Sequence, residues 1–145
     1  MAPSRSQLLR TATDCVNRLS NGRSDNIVAI RNAKCRHEVG PPCMGVPAPL
    51  SNEEYGAWWD SFVPRVWPNG MEVWLDNNRE PVVDVHNRHV VLYCKSRAES
   101  HKGIYEGSYV FNITISEDGE KVDDIVEFLD SKSALEYSTK ALGLP

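Results

Sequence analysis

The stretch that decides the fold is FNITISEDGEKVDDIVEFLDS, residues 111–131. Two runs of alternating apolar and polar residues flank Glu117-Asp118-Gly119, the pattern of a β-hairpin. A three-residue loop, with Gly119 supplying the left-handed residue, sets the register. Ser116 then faces Glu120, and counting outward pairs Ile113 with Asp123, Phe111 with Ile125, and Tyr109 with Glu127. Successive side chains alternate between faces, so Tyr105, Tyr109, Phe111, Ile113 and Ile115 share one face with Ile125, Glu127 and Leu129. A bulge in this ladder would flip the faces beyond it.

Glu127 is the anomaly on that face. An ionised carboxylate in a dry core costs several kcal/mol unless it is partnered. Two explanations follow. Glu127 either has a structural place, accepting hydrogen bonds from a tyrosine or arginine to buttress the core or lying at the wet end of the sheet, or it lies in a pocket wall where a carboxylate and a phenol can handle protons.

Upstream, Met71 to Leu75, Val82 to Val85, His89 to Ala98 and Tyr105 to Ser116 read as strands, with Val122 to Leu129 completing the hairpin. The first half of the chain is different. Leu8, Leu9, Ala12, Cys15, Val16 and Leu19 form the stripe of an amphipathic helix over residues 4–20, ended by Asn21-Gly22. A second, shorter helix is expected from Ser24 or Asp25 through Ile27, Val28 and Ile30 to Arg31. CRHEVGPPCMGVPAPL, residues 35–50, is too rich in proline and glycine for much regular structure. A third helix starts at Ser51 or Asn52, carries Tyr55, Trp58, Trp59 and Phe62 on one face, and closes at Pro64 and Pro68. Helices first and strands afterwards predict one α+β domain over residues 1–145, with the helices packed on one face of an antiparallel sheet.

Composition narrows the function classes. With 41% apolar and 25% charged residues the chain is an ordinary globular one, and a net charge of −4 gives no general attraction to nucleic acid or an anionic membrane. No apolar run is long enough to span a bilayer, and Met1 to Arg10 lacks the apolar centre of a signal peptide, so a cytoplasmic protein is expected. The four cysteines show no CxxC pairing and are read as free, mostly buried thiols. His86 and His89 fall on opposite faces of a strand or turn, and no metal site is expected. No nucleotide-binding glycine motif is present.

Among the other polar residues, Arg31 either suits the negative end of a helix or points its donors into a cavity to stabilise an oxyanion. His37 is a candidate base or a surface histidine, and Asp60 is by default exposed. Tyr55, Trp58 and Trp59 are core residues that would also make walls for a flat, ring-containing ligand.

RNAKCRHEVGPPCMGVP (residues 31–47) and YCKSRAESHKGIYEGSYVFNITISEDGEKVDDIVEFLDS (residues 93–131), behind the N-terminal helices, resemble the SnoaL-like branch of the nuclear-transport-factor-2 (NTF2-like) fold. The likeness covers about residues 5–140 and is closer to small fungal secondary-metabolite enzymes, which include ring-rearranging isomerases of meroterpenoid biosynthesis and semipinacol-type isomerases of prenylated indole alkaloids. Its most specific parts are R-x3-C-x-H at Arg31 to His37, S-x-A-E at Ser96 to Glu99, and the EDG hairpin followed by E-F-x-D-S. The resemblance implies three N-terminal helices on a strongly curved antiparallel sheet that forms a cone, often dimeric through the sheet's outer face, with no cofactor. It places Arg31, Tyr105, Tyr109 and Glu127, the candidate catalytic residues, at the family's pocket positions; His37, Tyr55, Trp59 and Phe111 are the candidate substrate contacts beside them. Relatives commonly carry Asn-Glu where this chain has Gly107-Ser108, which removes a possible carboxylate from the pocket mouth.

The function so implied is a cofactor-independent isomerase or cyclase using acid–base chemistry on a polycyclic secondary-metabolite intermediate, by a semipinacol-type shift or ring rearrangement. A dehydratase or hydrolase on the same scaffold, and a non-catalytic binding or dimerisation module, are the alternatives.

Overall fold

The computed structural model describes residues 1–46 and 49–144, so two residues of the Pro/Gly-rich segment and the last residue lie outside it. In chain order the elements are α1 (Arg5–Asn17), α2 (Ser24–Val28), β1 (Arg31–Gly40), a 3-10 turn at Pro42–Met44, and α3 (Asn52–Val66). β2 (Glu72–Leu75), β3 (Val82–Asp84), β4 (His89–Ser100), β5 (Gly103–Ile115), β6 (Val122–Leu129) and α4 (Ser131–Ala141) follow.

The six strands form one sheet in the order β1-β6-β5-β4-β2, with β3 also pairing β4. Its pairs are antiparallel except for β1, which runs parallel to β6. The expected antiparallel sheet is therefore mixed. The second helix ends earlier than expected: α2 stops at Val28, Arg31 opens a strand, and that strand takes in residues 35–40 of the segment read as irregular. β1's free edge is covered where the His37 N–H donates to the Leu50 carbonyl and the Leu50 N–H to that of His37, both at 2.9 Å. A fourth helix, α4, follows the last strand, with the Asp130 carboxylate accepting from the Ser133 N–H at its start.

Pro64 does not end α3, which continues to Val66. A proline deletes its own N–H bond and disrupts the helix about it, and α3 runs only two residues beyond Pro64. Val66 is fully buried, and the Trp67 N–H reaches the Val63 carbonyl at 2.7 Å. At the other end Ser51 and Glu54 form a reciprocal capping box.

The β5–β6 hairpin keeps the expected faces but not the expected partners. The Ser116 N–H donates to the Lys121 carbonyl, so the loop is one residue longer than read, and a bulge between Thr114 and Ile115 adds a second slip. Phe111 therefore opposes Glu127, Ile113 opposes Ile125 and Tyr109 opposes Leu129. Gly119 adopts φ +81°, and α1 clamps this turn through Thr11 Oγ1, which donates to the Gly119 carbonyl at 2.6 Å. Leu8, Ala12, Cys15 and Val16 of α1 are buried in the same core as Ile113, Ile115, Val122 and Ile125.

Candidate active site

The concave face of the sheet, α3 and α4 enclose a cavity of about 290 Å³, near the lower end of small-molecule sites. Its wall is chiefly apolar and aromatic, with Trp58, Trp59, Phe62, Trp67, Met71 and Phe111 prominent. α3 supplies the aromatic side because Tyr55, Trp58, Trp59 and Phe62 recur at helical spacing on one face. α4 closes another side with Ala134 and Ser138. Glu127 is the sole charged residue lining the cavity among the described residues, and Tyr105 and Tyr109 bring phenols into the same wall.

Glu127 is held from behind by β1. Its Oε1 lies 2.8 Å from His37 Nε2, and His37 Nδ1 lies 3.0 Å from Arg31 Nη1. A guanidinium can only donate, so Nδ1 accepts and the ring proton sits on Nε2, which donates to the carboxylate. His37 is therefore neutral. Complete burial, opposed by the bond to Glu127 and reinforced by Arg31, keeps its pKa below the ordinary histidine value. The imidazole stacks on Tyr55 with ring centroids 4.3 Å apart, and the Arg31 guanidinium carbon stands 4.4 Å from the centroid of the same ring. A cation, a neutral ring and a carboxylate thus lie in line. Among the described residues no side chain bonds Glu127 Oε2, leaving that oxygen for a ligand's proton.

The phenols join a second polar group. Tyr109 Oη lies 2.7 Å from Ser96 Oγ and 3.2 Å from Tyr105 Oη. Burial raises the pKa of Tyr105 and lifts that of Tyr109 well above the ordinary phenol value, so both are protonated donors near neutrality.

The structure brings Glu127, Tyr105, Tyr109, Tyr55, Trp59 and Phe111 to the cavity wall. Arg31 and His37 stand one layer back: neither lines the cavity, and both act on it through Glu127 and Tyr55. Arg31 is thus a buried counter-charge in β1 rather than a helix-end residue. Asp60 is exposed and accepts from Ser24 Oγ. Ser108 points to the outer face, where Lys95 Nζ donates to its hydroxyl, so the departure on the inner face is Gly107 and not its neighbour. Sequence reasoning missed Ser96 as a site residue. Its signal is the inner face of β4, where side chains shrink from Val90 and Leu92 to Cys94, Ser96 and Ala98. Burial pushes the thiols of Cys15 to about 11 and of Cys35 and Cys94 to about 12, while Cys43 is exposed.

This fold and site define a SnoaL-like cone. Across 96–100% of its length the chain superposes on two solved structures. With a chain from Jannaschia sp. CCS1 assigned as a SnoaL-like polyketide cyclase, the TM-score is 0.69 over all of this chain and 98% of the other at 14% identity, which bears on the fold alone. With the BvnE pinacolase from Penicillium brevicompactum the TM-score is 0.86 over 96% of both chains, at 27% identity. Austinoid biosynthesis cluster protein F of Aspergillus calidoustus is 30% identical over 131 residues, which is 90% of this chain and 73% of that protein. No family model matches the sequence. The chain belongs to the SnoaL-like, NTF2-fold family of fungal secondary-metabolite proteins that includes this austinoid-cluster protein and the pinacolase. Among the described residues, no helix is long and apolar enough to cross a membrane.

Proposed function

We propose that the protein is an isomerase that rearranges the carbon skeleton of a polycyclic secondary-metabolite intermediate by acid–base catalysis without a cofactor. The observation that carries this reading is a lone carboxylate, oriented by a neutral histidine and open at Oε2, in an aromatic cavity that also presents protonated phenols. Glu127 takes the proton of a hydroxyl or an acidic C–H. A phenol donates to a carbonyl oxygen as charge gathers there, which is the polarity of a semipinacol-type shift: the alcohol is deprotonated and a neighbouring carbon migrates. The apolar wall holds the substrate in the fold that selects the migrating bond. The name of one similar protein, a pinacolase, supports the same class of reaction, and that of the austinoid-cluster relative supports a place in secondary-metabolite biosynthesis.

A homodimer through the outer face of the sheet, where Phe128 and Ile104 are exposed, belongs to the same proposal; a solution mass of one chain would contradict it.

Removing the gene from its producing organism should accumulate a compound of the same mass as the product that is lost. A precursor heavier or lighter by water would point to dehydration or hydrolysis and overturn the isomerase reading. Complementation with Glu127→Gln, which preserves the bond from His37, should leave turnover lower by about 10²–10⁴-fold with the circular dichroism spectrum unchanged. Undiminished turnover would remove Glu127 from the role of base.

A further inference from the structure

The hydroxyls of Ser96, Tyr105 and Tyr109 meet on the inner face of β4 and β5, and their contacts fix which of them is free. Tyr109 Oη has three neighbours: Ser96 Oγ at 2.7 Å, Tyr105 Oη at 3.2 Å and the Met71 sulfur at 3.8 Å. There are three hydroxyl protons for three contacts, and a thioether can only accept. Tyr109 must therefore donate toward Met71, and its oxygen must accept from both Ser96 and Tyr105. No other assignment satisfies all three contacts at once.

The consequence is an asymmetry between the two tyrosines. The proton of Tyr105 is spent on another phenol. That of Tyr109 is held by a weak acceptor at long range, on a flexible side chain that itself lines the cavity. Two donors feeding one phenol oxygen polarise it and strengthen its own O–H as a donor. A ligand oxygen would displace the thioether without disturbing the other two bonds.

Gly107 makes the convergence possible. It pairs with Ser96 across the ladder and lies between the two tyrosines on the inner face of β5. A Cβ at this position would stand 2.5 Å from Tyr109 Oη and 2.6 Å from both Ser96 Oγ and Tyr105 Oη. Any side chain here would push the three oxygens apart.

We infer that Tyr109 is the donor to a carbonyl oxygen of the ligand, that Ser96 and Tyr105 are positioning residues that strengthen it, and that Gly107 is the space the trio requires. This deepens the proposed isomerase reading and rests on it for the presence of a ligand in the cavity. It does not depend on Glu127 being the base.

The test uses the full chain and trans-2-decalone labelled with ¹³C at the carbonyl, followed by infrared difference spectroscopy. Bound to the unaltered protein, the ketone should show a carbonyl band well below its frequency in hydrocarbon. Tyr109→Phe should move the bound band to the hydrocarbon value and weaken binding about fivefold, the loss of one neutral hydrogen bond. Ser96→Ala and Tyr105→Phe should each move the band part of the way, a readout that a merely structural role would leave alone. Glu127→Gln should leave it in place, which separates this test from that of the base. A band unmoved by Tyr109→Phe, a larger movement with Tyr105→Phe, or a ketone that does not enter at millimolar concentration would each overturn the inference.

Discussion

Arg31, His37 and Glu127 on one side, and Ser96, Tyr109 and Tyr105 on the other, are two ways of burying polar groups against one apolar cavity. The first is a charged line in which a neutral imidazole separates a cation from a carboxylate. The second is a neutral trio in which every hydroxyl is both a neighbour and a donor. In the proposed reaction each leaves one functional atom to the cavity: a carboxylate oxygen from the line, which takes a proton, and a phenol proton from the trio, which is lent. Because one group carries charge and the other does not, the two should respond differently to mutation and to pH.

Breaking the charged line should have the largest effect on stability. His37→Leu strands a buried guanidinium and a buried carboxylate, and should cost about 3–5 kcal/mol in urea unfolding. His37→Gln, whose amide can accept from Arg31 and donate to Glu127, should recover more than half of that loss. Equal losses for the two variants would mean that packing against Tyr55, not the line of hydrogen bonds, sets the cost.

Disturbing the neutral trio should cost less. Gly107→Ala places a methyl against three oxygens that carry no charge and can turn away, so about 1–3 kcal/mol is expected by the same measurement. A neutral or stabilising outcome would show that the trio is looser than its contacts indicate.

The smallest effect is in the pH dependence, and it separates the groups by sign. The folded state keeps His37 below its ordinary value of 6.5, chiefly through burial. As pH falls through about 6.5 the unfolded chain binds a proton there that the folded chain does not, so this contribution to stability is complete above that pH and is lost below it. The slope is at most about 1.4 kcal/mol per pH unit, and His37→Gln should lack it. The tyrosines are shifted upward, so the folded state holds protons that an unfolded chain would begin to release only near pH 10. Tyr105→Phe should therefore leave the slope between pH 5 and pH 8 unchanged, roughly the range in which histidine titrates.

Part of this was legible in the sequence, and the hairpin shows why. The face of Glu127 came out correctly although its partner did not, because a longer loop and a bulge each slip the register by one residue and the two slips restore the alternation. Face survives an even shift; pairing does not. β1 stayed hidden for the opposite reason. Its inward positions, Cys35, His37 and Val39, alternate as a strand should, but the middle one is a polar site residue and the next stretch is Pro41-Pro42. The chemistry that β1 carries erases the hydrophobic signal that would have revealed it. α4 was not read from the sequence, although Asp130-Ser131 offers a cap and Ala134 and Tyr137 follow at helical spacing. Ser96 opens the S-x-A-E motif, but its own residues show only small inward side chains facing a glycine, a pattern that reads as weak core until the cavity above it is seen.

The contrast between a charged line and a neutral trio rests on the state of one ring. Long-range ¹H–¹⁵N correlation spectra of the histidine side chains at neutral pH report it directly. His37 should show a neutral imidazole with its proton on Nε2 and a bare Nδ1 accepting from Arg31. An imidazolium at His37, or a proton on Nδ1, would contradict the account.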